Sequence, residues 1–162
     1  MNRVELLYAL KAESLIATKG LLMPVAMQEH DKRQPPDREA DVYLMRLPNS
    51  KAAKKKAPYI LHQFITGYDQ QPEGDLDESS ATIRTIFAVY SEDEQEGGLI
   101  LMNLMERVRI HLLRKVVIDH KFELDKQVKL EALAYPDDTA PYFAGEMIST
   151  WKCPAVKREV TL

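Results

Sequence analysis

The chain has 162 residues, 45% hydrophobic and 29% charged, with a net charge of −3 at pH 7. That is one domain's length and an ordinary globular composition, able to bury about two-thirds of its unfolded surface. The small charge argues against a polyanion binder by bulk electrostatics, the lone Cys153 excludes an internal disulfide, and no stretch approaches the roughly 20 apolar residues of a membrane span.

The first residues carry Arg3, Glu5, Lys11 and Glu13 and so lack the uninterrupted apolar run of a signal peptide. The expectation is folding in a reducing cytoplasm. Residues 2–19 predict a helix, with Asn2 and Glu5 spaced as a capping box and Gly20 as the stop. Its apolar residues fall on two sides. Leu6, Leu10 and Ala17 share one, and Val4, Tyr8 and Leu15 share another. Residues 28–39 read as a loop, and 42–47 as a strand closed by Pro48. The basic stretch 49–58 predicts an exposed hairpin tip. Residues 59–68 form a strong aromatic and β-branched strand. The acidic segment 69–80 predicts a solvated loop.

A further strand is expected over 81–90. An acidic turn at 92–96, ending in Gly97 and Gly98, should lead into a helix at 99–115. Residues 116–118 read as a short extended piece. Short strands follow at 122–124 and 128–133, then a turn cluster, then a last strand at 146–153 stopped by Pro154. The order α-β-β-β-α-β-β-β predicts a single α+β domain. Its sheet should be mixed and mostly antiparallel, with the helices packed on one face.

No catalytic signature emerges. The chain lacks a GxxxxGK[ST] loop, a GxSxG elbow and an HExxH pair. His30, His62, His111 and His120 with one cysteine make none of the common structural zinc sets. Cys153 reads better as a small strand-end core residue than as a nucleophile. His62, on one strand face with Ile60 and Phe64, reads as a hydrogen-bonded core or interface histidine. Asp137 and Asp138 suit a turn. No catalytic residue, metal ligand or cofactor is expected. Lys51, Lys54, Lys55 and Lys56 could touch phosphate, but the run is short and lacks aromatic platforms.

The 99–115 helix is the most specific element. Leu101, Leu104, Met105, Val108 and Leu112 share one face, which Met102 and Leu113 widen to nearly half the circumference. Arg109 falls inside this arc and Ile110 in the polar one. A buried arginine needs a partner. Either its head reaches the rim, or it pairs across a subunit boundary with Glu92, Asp93 or Glu94.

The segments IRTIFAVYSEDEQEGGLILMNLMERVRIHLL, FELDKQVKLEAL and GEMISTWKCPAVKRE resemble the tail-terminator (tail-completion, head–tail joining) proteins of long-tailed phages and prophages. The matching features fall on Tyr90, Gly97, the helix from Leu101 to Leu113, Phe122, Leu124, Thr150, Trp151 and Pro154. Gly98 stands where the family pattern has an aromatic. The likeness spans roughly residues 60–160. It implies a small α+β protomer in a homo-oligomeric ring, a hexamer, assembled in the host cytoplasm and located in the virion. Such a ring caps the tail-tube protein and meets the head–tail connector, with DNA only as passing cargo. In such a ring the expected subunit contacts are Arg109 and Ile110 with the acidic 92–94 residues, and the Lys54, Lys55 and Lys56 tip with the acidic loops at 69–78 and 92–96. Two alternatives stand beside it: a nucleic-acid-binding phage adaptor using the lysine tip, and a small enzyme with His62 or Cys153 in a cleft.

Overall fold

The computed structural model describes residues 2–28 and 33–160, without the side chains of Ser50, Lys51 and Lys55; His30 and part of the 28–39 loop lie outside the described residues. The fold is α+β. Helix α1 (Arg3–Ala17) precedes β1 (Asp41–Leu44), a 3-10 segment (Ser50–Lys56), β2 (Tyr59–Gln70) and β3 (Glu78–Tyr90). Helix α2 (Glu94–Lys115) follows, then β4 (Val117–Ile118), β5 (Phe122–Leu124), β6 (Glu131–Ala134) and β7 (Tyr142–Cys153). The strands form one sheet in the order β1-β2-β3-β7-β5-β4, with β6 also paired to β7.

Every pairing between named strands is antiparallel except β1 with β2. That exception corrects the expected hairpin at 49–58. Parallel neighbours need a crossover rather than a tight turn. Residues 45–58 supply it, resting Ala53 of the 3-10 segment and Ala57 just beyond it on the sheet.

Alternation along β3 builds two cores. Ile83, Phe87 and Val89 face the helices and join Leu6, Leu10, Leu104, Val108 and Leu112 in the main core. Ala88 and Tyr90 face the other way, against Leu47, Ala57, Tyr59 and Leu61 beneath the crossover. Both helices lie on the first face. Trp151 is fully buried there, its indole N–H donating to Ser149 at 2.9 Å.

The helix ends follow from capping chemistry. The Asn2 side chain accepts from the Glu5 N–H while the Glu5 carboxylate accepts from the Asn2 N–H, a complete capping box. Gly20, at φ +80°, takes the left-handed turn beyond the helix. Helix α2 starts five residues earlier than the sequence suggested. Asp93 is its N-cap, accepting from the N–H groups of Gln95 and Glu96. Glu94 and Glu96 sit in the first turn, where negative charge is favoured. Strands β2 and β3 extend further than expected, so only 71–77 of the acidic segment is loop. Residue 128 is half-exposed and outside any strand; the strand there is 131–134.

Candidate functional site

Helix α2 has two distinct sides. Gly97, Leu101, Leu104, Met105, Val108 and Leu112 are buried against the sheet. Leu99, Met102, Ile110 and Leu113 are 61, 53, 37 and 43% exposed. At 100° per residue these four lie together on the side away from the sheet. Met102 and Leu113 therefore do not extend the buried face. They belong, with Ile110, to an outward apolar stripe. Helix α1 repeats the arrangement: Leu6, Leu7 and Leu10 point in, while Val4, Tyr8, Leu15 and Ile16 are 56, 63, 43 and 59% exposed. The two-sided pattern expected for this helix is realised.

Arg109 meets one of its two expectations, that its head reaches the rim. It is half-exposed and forms a bidentate pair with Glu106 one turn away, Nε to Oε1 at 2.8 Å and Nη2 to Oε2 at 2.6 Å. The pairing raises the Arg109 pKa and lowers that of Glu106. Its partner is thus within its own helix, because residues three apart on a helix are neighbours. The acids proposed for it have other duties: Asp93 caps α2, and Glu92 accepts from the Tyr90 hydroxyl. Glu94 lies exposed in the first turn.

Between the helices, near the C-terminal end of α1, runs a groove of about 450 Å³. Ile16 and Ile110 face it, Arg107 and Arg114 flank it, and Glu106 and His111 complete its wall. Below it the buried Glu13 carboxylate joins the two helices. It accepts from His111 Nε2 and Lys115 Nζ, each at 2.5 Å. Burial opposes the charge, but these two hydrogen bonds and the adjacent cations outweigh it and hold the Glu13 pKa below the ordinary range.

His62 is fully buried. Its Nε2 meets the Ser14 hydroxyl at 2.7 Å and its Nδ1 the Thr85 hydroxyl at 2.8 Å. Desolvation pushes its pKa down to about 3. The histidine is a hydrogen-bonded link between α1, β2 and β3 without solvent access. Cys153 is half-buried on the rim of an open groove of about 220 Å³ with Arg3, Asp69 and Ser79. Burial raises its thiol pKa, which keeps it protonated and less nucleophilic. No histidine lines that groove.

The lysines sit on the opposite sheet face. Lys54 is exposed, its ammonium 5.9 Å from the Tyr142 ring centre, and Lys56 is half-buried in the crossover. They do not share a surface with Arg109 and Ile110, which lie on the helical layer. The side chain of Lys55 lies outside the described residues.

The acidic segment 69–80 reads in the sequence as a solvated loop and a match for the lysine tip; the structure narrows its loop to 71–77. Among large apolar side chains, its Leu76 is the most exposed of the described residues, at 81%. Among the described residues no group of three or more His, Cys, Asp or Glu is placed to hold a metal ion. No helix among them is long and apolar enough to cross a membrane. No family model and no curated protein sequence matches this chain.

Proposed function

We propose that this chain is a structural ring subunit of a phage tail end or neck: a tail terminator that caps the tail tube and joins it to the head connector. The observation that carries the reading is the outward apolar stripe of α2, Leu99, Met102, Ile110 and Leu113, on a helix whose opposite side already fills the core. A helix that exposes four large apolar side chains on one side, beside a second helix doing the same, has a surface suited to burial against protein. The tail-terminator resemblance of residues 60–160 supplies the identity of the assembly. The acids at 92–96 then face a lumen or a neighbouring ring, where like charge keeps DNA from adhering.

The experiment is electron microscopy with light scattering, on the free protein and after mixing with purified tail tubes. The expected result is a closed oligomer, or a ring that forms on the tube end and stops its growth. A monomer under both conditions overturns the reading. Ile110→Asp should leave a folded protomer, since the side chain already meets solvent, and should weaken assembly at least about tenfold. Loss of the fold, read from the burial of Trp151, would instead make Ile110 an intrachain core residue.

A further inference from the structure

The hairpin β2–β3 and the inter-helical groove lie off opposite ends of α1. His62 on β2 meets Ser14 near one end of the helix, and Tyr68 on β2 meets Arg3 at the other. Strand β2 therefore runs alongside α1 toward its N-terminus, and the 71–77 tip lies beyond it. Arg3 fixes this placement, with Nη2 donating to the carbonyls of Tyr68 and Ser80 and to Asp69 Oδ2. The groove lies beside Ile16, roughly 20 Å along the helix at about 1.5 Å per residue. A tip cannot reach the groove of its own chain.

The two features match chemically. The tip carries Leu76 with Glu73, Asp75, Asp77 and Glu78 around it. None of these four acids has a salt-bridge partner among the described residues. The groove carries Ile16 and Ile110 with Arg107 and Arg114, which likewise have no carboxylate partner among the described residues. Its own acid, Glu106, is engaged by Arg109, and His111 is engaged by Glu13. Leu76, among acids without salt-bridge partners, thus lies at the opposite end of the chain from a mostly polar groove whose apolar centre is Ile16 and Ile110, flanked by arginines without carboxylate partners among the described residues.

We infer that the 71–77 tip of one protomer seats Leu76 between Ile16 and Ile110 of the next, with its acids against Arg107 and Arg114. This rests on the assembly reading above and names its contact. Different patches at opposite ends make the contact heterologous, and such contacts close into rings when the rotation allows. Charge sets the register, and the apolar pair supplies the desolvated centre.

The test uses the full chain with Cys153→Ser. Leu76→Cys and Ile110→Cys are made as separate proteins, mixed and mildly oxidised. A disulfide-linked pair containing one of each should form, in clear excess over self-pairs of either protein alone. Absence of the mixed pair overturns the contact. A second arm swaps charge. Asp75→Lys with Asp77→Lys, and Arg107→Glu with Arg114→Glu, should each abolish self-association while Trp151 stays buried. Mixing the two swapped proteins should restore it, because each tip again meets an opposite groove. Unchanged association of either swapped protein, or failed restoration, rejects the proposal. Wild-type rings that cap tubes while the swaps have no effect would reject this contact and leave the tail-end reading standing. A confirmed contact in a protein that never stops tube growth would do the reverse. A wild-type chain that never self-associates, with or without tubes, sinks both.

Discussion

Two adjacent glycines in α2 carry opposite duties. A Cβ on Gly97 would overlap the Phe143 ring, whereas Gly98 has open space around the same position. Helix propensity alone favours alanine at either by about 1 kcal/mol. Gly98→Ala should therefore stabilise the fold by about 0.5–1 kcal/mol. Gly97→Ala should destabilise it by about 1–3 kcal/mol, since overpacking outweighs propensity. Urea denaturation followed by the fluorescence of Trp151, the chain's one tryptophan, reads both. Equal signs for the two variants would contradict the close approach of β7 to α2. His62 gives a second test. In the folded protein it takes a proton only near pH 3, but in the unfolded chain near 6.5. Between these values the unfolded state binds more protons, so stability falls as pH drops, by up to about 1.4 kcal/mol per pH unit. Replacing His62 by Gln should flatten the decline between pH 6.5 and 4.5. An unchanged slope would show that His62 is not the buried neutral base described above.

At the scale of elements, α1 and α2 are joined through Glu13. A nearly buried carboxylate held by His111 and Lys115 is a specific tie, and removing one partner leaves others unsatisfied. Lys115 is half-exposed, which discounts its share. Glu13→Gln should cost about 1–2 kcal/mol in urea denaturation; a change within experimental error would reduce the tie to surface decoration. Arg109 and Glu106 lie on the exposed side, so Arg109→Ala should alter stability by less than about 1 kcal/mol. The α1 capping box and the two-sided apolar pattern were legible in the sequence, because both depend on spacing within a few residues. The α2 start was not, because two glycines look like a turn until β7 is seen packed against them.

At the scale of the whole molecule, both helices cover one sheet face and still leave apolar residues outward. The hairpin tip and the groove occupy opposite ends, which suits repeated head-to-tail association. The expected salt sensitivity follows. Rim charges are screened over a Debye length of about 8 Å at physiological ionic strength. Assembly through the tip and groove should weaken steeply as salt rises, while contacts of the α2 stripe alone should hold. Light scattering across a salt series distinguishes the two modes.

By itself the sequence determined the α+β class, the approximate places of the helices and most strands, the apolar sides of α1, and the absence of familiar catalytic motifs. These are properties of period, capping and composition, all local in the chain. The tertiary structure decided what depends on distant segments meeting. It made β1 and β2 parallel and so turned a supposed hairpin into a crossover. It gave Arg109 a rim position and a partner one turn away, where the arc of the helical wheel had left open either the rim or a carboxylate of another subunit. It enclosed His62 between Ser14 and Thr85, and it set the acidic tip and the arginine-flanked groove at opposite ends of α1. Side-chain pairing and end-to-end placement arise only when the sheet and helices pack, because hydrogen bonds and apolar burial act across space regardless of sequence separation.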